Sequence, residues 1–489
     1  MTWREYHDAT KHSTESLRRS RYTLDWANMP DPFRHYEGVP VLDLPADPPA
    51  PEVPALDVLL GARGTAGAAA GPMFLSQLLF HAAAISATKT VPSTEHRYAL
   101  RVNPSSGNLH PTEFHFATRG LDGWADGLYH YRASSHMAEQ RALGDFVTSL
   151  TDDATCIVFV MTSIAWREAW KYRERAYRYC LHDIGHAWQS LALSAQALRC
   201  ETFARGHFSD DDITQICGLS RDEWPMLIVQ VRGAIPTREP DDHPRTWFGG
   251  TPNSISELQI SYPLIESMHS ATRCIAGPRI NRSEPAYSGS GSIALSAPAS
   301  SSRPFGEVAR HRRSALDFTG APQITLADLS ALLAVTSQPC PADFATSRFV
   351  QLYLYVHRVD GLEPGVYRYW PEGTGLELVR SGDQRLMAAG LSLGQSLAGN
   401  ACVAFSMIAD IDRAVRSHGD RGYRYVHFEG GAIGHRLYIA AEALGLRATG
   451  IGAFFDDEVH RYLDLSSTQG QVVYHFAVGH PVIDPRLDA

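Results

Sequence analysis

The chain of 489 residues has no apolar run approaching the roughly 20 residues that a membrane span needs. It also has no surplus of positive charge. The formal net charge is −9, so the balance points to neither a nucleic-acid nor an anionic-membrane partner. An anionic cofactor would need a local cationic pocket. The cysteines (Cys156, Cys180, Cys200, Cys217, Cys274, Cys340 and Cys402) are scattered and odd in number, and none forms a C-x-x-C pair. That argues against a disulfide framework and against a cysteine-based zinc or iron–sulfur site. A G-x-x-x-x-G-K-[ST] loop and a G-x-S-x-G elbow are both missing, which leaves kinase and hydrolase readings without footing. His182 and His186 stand four apart, but the stretch HDIGH lacks the glutamate of H-E-x-x-H and reads as two ordinary polar or packed histidines, with no metal expected. The opening residues, MTWREYHDATKHS, lack the apolar centre of a signal peptide, so a cytoplasmic enzyme is the expectation.

What the chain does have is an ordinary globular composition, 44% apolar and 20% charged, and a length suited to two or three domains. It also repeats itself. The segment from Arg175, RAYRYCLHDIGHAWQSLALSAQALRCETFARGHFSDDDI, aligns without a gap on that from Arg421, RGYRYVHFEGGAIGHRLYIAAEALGLRATGIGAFFDDEV. The offset is 246 throughout (421 minus 175), and the identical pairs include Tyr177/Tyr423, Arg178/Arg424, Gly185/Gly431, Gly206/Gly452 and Asp210/Asp456. The flanks agree in order. An alternating strand, TEFHFAT or FVQLYLYV, precedes GLYHY or GVYRY, and a closing strand, PMLIVQVRG or VVYHFAVG, ends each copy. Ile184, Trp188, Leu191, Ala195 and Leu198 recur at helical spacing and predict a core helix. These patterns predict an α+β fold of two fused copies forming an intramolecular pseudo-dimer. The expected boundaries are an extended N-terminal arm over 1–57 lying on the first copy, a first domain over 58–270, a Ser/Gly/Pro-rich linker over 271–305 and a second domain over 306–489.

Several stretches carry a resemblance to a known family: YHDATKHS, LDWANMPDPF, RVNPSSGNLHPTEF, KYRERAYRY with GHAWQSL, RRSALDF and GIGAFFDD. Together they resemble the SagB-type dehydrogenases of the nitroreductase superfamily, in tandem form, over nearly the whole chain. The resemblance implies an FMN cofactor, active sites at a dimer interface, and oxidation of thiazoline or oxazoline rings in peptides to azoles. A cyclodehydratase is the biosynthetic partner such an enzyme would have. In such proteins one half supplies an Arg-x-Ser-like segment for the flavin phosphate and a glycine loop, and the other half a P-S-S-x-N segment. Here the second copy has Arg312, Arg313 and Ser314 with Thr449-Gly450-Ile451-Gly452, and the first has Pro104, Ser105, Ser106, Gly107 and Asn108. The reciprocal elements are eroded. Copy one reads GARGTAGAAAG in place of R-R-S and Ala204-Arg205-Gly206 in its glycine loop, while copy two reads SQPCPADFATSRF in place of P-S-S-x-N. One FMN per chain is therefore expected, with a second site degenerate.

The residue types suit that assignment. An arginine meets phosphate oxygens with a planar fork of donors, so Arg312 or Arg313 with the Ser314 hydroxyl fits a phosphate, and Arg486 near the C-terminus is a further candidate. Outside this context an Arg-Arg pair reads as a solvated surface. Pro104-Ser105-Ser106 reads as a turn, plain or with donors aimed at the flavin ring, and Asn108 both donates and accepts. Gly107, Gly450 and Gly452 let backbone approach a flat ring. Lys171 and Tyr172 resemble a catalytic pair of azoline oxidases; copy two has Ser417 and His418 at that offset. The other reading of the pair is a helix lysine in water beside a packed tyrosine. Dehydrogenation needs a base for the proton as well as a hydride acceptor. Two other functions remain open at this point: an NAD(P)H-dependent nitro- or quinone reductase, and a flavin-free scaffold.

Overall fold

The computed structural model describes residues 1–64, 69, 71–90, 97–274, 289–345, 348–373, 375–466 and 469–487. Much of the expected linker, and part of GARGTAGAAAG, lies outside these residues.

The first copy is built on strands β1 (Thr112–Thr118), β2 (Gly127–Arg132), β3 (Met137–Leu143), β4 (Ile157–Ser163), β5 (Cys200–Arg205) and β6 (Trp224–Gly233), in the antiparallel order β3-β2-β1-β4-β6-β5. The second uses β7 (Val350–Val356), β8 (Gly365–Trp370), β9 (Gly375–Ser381), β10 (Val403–Ala409), β11 (Arg447–Ile451) and β12 (Gln471–Gly479), in the same order β9-β8-β7-β10-β12-β11. The helices used below are α1 (Trp3–Ala9), α2 (Ala165–Tyr172), α3 (Ala176–Ala197), α4 (Asp210–Cys217), α5 (Pro263–Thr272), α6 (Phe305–His311), α7 (Ile411–His418), α8 (Gly422–Ala443) and α9 (Asp456–Tyr462). The two-copy α+β architecture is as the repeat predicts. No helix among the described residues is long and apolar enough to cross a membrane.

The sequence marks one apolar face on α3, yet almost every residue of the helix is buried. The reason is the seam. α3 packs on its own sheet and also against α8 of the other copy, and α8 is buried in the same way. The crossing is set by glycines that are partners in the repeat. A Cβ on Gly185 would lie 2.2 Å from the Phe428 carbonyl oxygen, and one on Gly431 would lie 2.1 Å from that of His182. No side chain fits at this approach.

Buried charge closes the seam with the same symmetry. Arg175 and Arg178 of copy one reach Asp456 of copy two at 3.0 and 2.8 Å, while Arg421 and Arg424 of copy two reach Asp210 of copy one at 2.6 and 2.9 Å. Each carboxylate starts the helix that follows the glycine loop, so the clamps tie that loop to the opposite copy. The guanidinium pairs hold both carboxyls below the usual aspartate range although burial alone would raise them.

The arm is not extended throughout. It opens with α1, which bridges both copies: Tyr6 donates to the Glu174 carbonyl at 2.6 Å, and His7 Nδ1 lies 3.2 Å from the Tyr423 hydroxyl. Farther on, Arg34 and Tyr36 cover the outer face of the first sheet, where the Tyr36 hydroxyl bonds the buried Glu223 at 3.1 Å. α1 also has a counterpart outside the 246-residue repeat. Arg178 bonds the Thr10 hydroxyl at 3.1 Å and Arg424 the Thr272 hydroxyl at 2.8 Å, so the ends of α1 and α5 stand in equivalent places. The matching stretches are HDAT at His7 and HSAT at His269.

Candidate functional site

The expected arginines reach copy one just ahead of the expected turn, at one end of the seam. α6 is followed directly by Arg312, which turns back into copy one. Its Nε donates to the Val102 carbonyl at 2.9 Å and a terminal nitrogen to that of Arg101 at 3.1 Å, immediately ahead of Pro104. Arg313 bonds the backbone and hydroxyl of Ser86, also in copy one, at 2.8 and 3.1 Å. Ser314 shares a 2.9 Å hydrogen bond with the Tyr438 hydroxyl, which accepts from the Gly450 N–H at 2.9 Å. Arg312 lies over the same Tyr438 ring. Phosphate-type donors and glycine loop are thus tied together through one tyrosine that sequence reasoning did not select.

These arginines differ from the others at the seam. Among the described residues neither Arg312 nor Arg313 has a carboxylate partner, and the remaining terminal nitrogen of Arg312 is buried with no hydrogen bond. Burial pushes Arg312 down to about 10 and Arg313 to about 9, with neighbouring arginines adding to the shift at Arg313. Both remain cations at neutral pH. The nearest acid, Glu442, is engaged by Arg303 and Arg447, and two buried cations without a direct carboxylate partner are costly unless an anion joins them. A phosphate dianion fits this donor set. Arg486 is different, because its guanidinium is already engaged by Asp484 at 2.8 Å.

From copy one comes the turn, with Gly107 and Asn108 both left-handed at φ 60° and 61°. Asn108 is spent internally: its amide nitrogen donates to the Ala99 carbonyl at 2.9 Å and its oxygen lies 3.0 Å from His110 Nε2. It holds the turn's shape. The Ser105 hydroxyl accepts from the His110 N–H at 2.8 Å, and Ser106 donates from its N–H and hydroxyl to Asp183 of α3, both at 3.1 Å. Pro104 is buried beneath them. Lys171 and Tyr172, at the end of α2, pack on Gly107: a Cβ there would sit 2.7 Å from the Tyr172 hydroxyl and 3.1 Å from Lys171 Nζ.

On the opposite side, Gly450 and Gly452 flank the buried Ile451 and make room for rings. A Cβ on Gly450 would meet the Tyr474 hydroxyl at 2.0 Å, and one on Gly452 would meet the Tyr179 ring at 2.1 Å. Tyr179 is edge-on to Tyr172 with centroids 4.5 Å apart. His182 stacks on Tyr474 at 4.3 Å and His186 Nε2 lies 3.1 Å from its hydroxyl, so both histidines belong to this aromatic wall. Glu168, one helical turn before Tyr172, is fully buried and faces Asp183; sequence reasoning missed it.

The pseudo-equivalent site is built differently. There the residues ahead of β7 are zipped onto the glycine loop of copy one. Ala204 and residues 341–343 exchange backbone bonds of 2.9 Å, the Gly206 N–H donates to Asp343 at 2.8 Å, and Phe344 stacks on Tyr425 with centroids 4.2 Å apart. Between Pro104–Asn108 and Gly450–Gly452 no hydrogen bond joins the described residues.

The chain belongs to the nitroreductase family, whose model matches residues 75–233 and 309–480. MJ1384 of Methanocaldococcus jannaschii, described as a nitroreductase, is 32% identical over 167 residues, which cover 32% of this chain and 83% of that protein. TfxC, a trifolitoxin operon protein of Rhizobium leguminosarum bv. trifolii, is 30% identical over 122 residues, 24% of this chain and 34% of TfxC. A solved nitroreductase-type structure from Anabaena variabilis matches with a TM-score of 0.79 and 25% identity over 98% of this chain and 99% of its own. The two-copy arrangement therefore recurs in a chain of nearly the same extent. The chain has the fold of a nitroreductase-family oxidoreductase, a family whose members are typically FMN-dependent.

Proposed function

We propose that the chain binds one FMN at this end of the seam and works in the cytoplasm as a SagB-type oxidoreductase. In this reading it dehydrogenates a thiazoline or oxazoline ring in a peptide, after a cyclodehydratase-type partner has made the ring. The observation that supports the reading is the reach of Arg312 and Arg313 from one copy onto the Arg101–Val102 backbone and Ser86 of the other, just ahead of the Pro104–Asn108 turn, with no carboxylate among the described residues in ion-pair contact with either guanidinium. The zipped counterpart supports one flavin per chain. A relative from a toxin operon fits a biosynthetic setting.

Arg312 and Arg313 would hold the phosphate. The Ser105–Asn108 turn and Gly450–Gly452 would bound the ring. FMN, when bound, supplies the two-electron acceptor. The chain's own residues must then take a proton. Lys171 Nζ and the Tyr172 hydroxyl both stand at Gly107, and burial keeps Tyr172 in its neutral form. Copy two carries Ser417 and His418 instead, so the pair occurs only at the end of the seam that is not zipped.

The test is anaerobic mixing of FMN-loaded protein with a short thiazoline peptide. Flavin bleaching and loss of H2 from the peptide are expected. Lys171→Ala should retain the flavin and lose about 100-fold or more in rate, the scale of general acid–base help. Rapid bleaching by NADPH, with indifference to Lys171→Ala, would instead identify a nitro- or quinone reductase.

A further inference from the structure

The repeat offers an internal control on α2. Position for position, α7 carries Ala414 where α2 carries Glu168, so the fold accepts alanine at this place in the helix. Glu168 is nevertheless a fully buried glutamate whose two oxygens have no well-formed hydrogen bond, with the Asp183 carboxyl and the Ser105 hydroxyl as its polar neighbours. The groups facing it are Asp183 and Cys180 of α3, Ser105 of the turn, and Lys171 and Tyr172 of its own helix. Asp183 is equally buried and is held by Ser106. Its counterpart Glu429 is satisfied by the backbone N–H groups of Phe349 and Val350 at 2.9 and 3.2 Å, with no second carboxyl at the alanine position. A buried carboxyl without a well-formed hydrogen bond is costly and is not needed for helix packing here, as alanine shows.

We propose that Glu168 and Asp183 form a carboxyl pair that holds one proton behind the Ser105–Ser106 turn and exchanges it with Lys171 and Tyr172. The catalytic consequence rests on the reading under Proposed function. As one ring C–H bond gives its proton, by way of Lys171 or Tyr172, to form an O–H bond on the Asp183 carboxylate, the hydrogen on the adjacent ring carbon leaves with its electron pair as hydride for FMN and a C=C bond forms between the two carbons. Water recovers it in the following half-reaction. Glu168 touches neither substrate nor cofactor in this scheme; it is a positioning residue that keeps Asp183 able to accept and return a proton. The electrostatics agree with the geometry. Burial, and then the neighbouring Asp183, hold Glu168 neutral, and burial pushes Asp183 up to about 7.

Infrared spectroscopy of the full chain, with and without FMN, reads neutral carboxyls directly. At pH 8 one buried neutral carboxyl is expected, missing from both Glu168→Gln and Glu168→Ala. The signal should about double as pH falls through about 7, and Asp183→Asn should abolish that step. Glu168→Ala guards against misfolding, since Ala414 shows that the residue suits the helix. Absence of a buried neutral carboxyl in the wild type, or a band unchanged in both Glu168 variants, overturns the proposal. FMN binding is measured on the same samples. Failure to bind FMN would count against the proposed function, while the band still decides the pair.

Discussion

Replacing Arg312 by glutamine should weaken FMN binding without weakening the apoprotein, and the two effects separate a ligand-binding role from a structural one. In the apoprotein Arg312 is a buried cation with two carbonyl partners, a bare terminal nitrogen and no carboxylate. Glutamine keeps one donor for the Val102 or Arg101 carbonyl and removes the buried charge, so thermal stability should hold or rise. The bound state loses a charge-assisted contact to phosphate. A hydrogen bond to a charged group contributes about 1.5–3 kcal/mol, or about 10- to 150-fold in Kd. Quenching of FMN fluorescence gives Kd, and calorimetric unfolding of the apoprotein gives stability. A Tm lowered by several degrees with unchanged Kd would refute the reasoning and reduce Arg312 to a strut between the copies.

Gly185→Ala places a methyl against the Phe428 carbonyl and should cost at least the 1–3 kcal/mol that is roughly typical of overpacking; an unchanged urea midpoint would contradict the crossing geometry. Asp456→Asn and Asp210→Asn each leave two buried arginines without their acid, and each should lose about 3–5 kcal/mol in urea titrations. Both aspartates titrate below their ordinary value, so their stabilisation is present above about pH 4 and is lost as pH falls through the lowered folded value; the wild-type advantage should narrow only in that acid range. Asp183 has the opposite sign. Its raised pKa of about 7 favours the fold fully below about pH 4 and progressively less as pH rises through 7, so Asp183→Asn should flatten the stability profile across that window. Phe344→Ala removes the ring stacked on Tyr425 but supplies no phosphate ligand, so flavin content should stay unchanged.

The repeat made the fold legible, because two copies at one offset need one sheet order and one seam. The roles of its identical pairs were less visible. Arg178/Arg424, Asp210/Asp456 and Gly185/Gly431 stand in the alignment, but that each arginine clamps the other copy's aspartate follows only once the helices cross. The ends of α1 and α5 escaped because four residues at a different spacing carry little signal. At the site, the sequence picked out the arginines, the turn and the glycine loop, each of which has a local pattern. It missed Tyr438, Tyr474 and Glu168, which sit within helices and strands and gain their meaning from residues distant in sequence, those of Tyr474 lying in the opposite copy. It also treated Asn108 as a free ligand, whereas a turn with two consecutive left-handed residues uses that amide for itself.

The most direct test of the account is the flavin content of the purified chain after saturation with FMN and removal of the excess, read from the visible spectrum against protein concentration. One FMN per chain is the result predicted by a single site between Arg312–Ser314 and the Ser105–Asn108 turn. A value near two would mean that the zipped site opens, and a value near zero would mean that the two buried arginines serve some other anion.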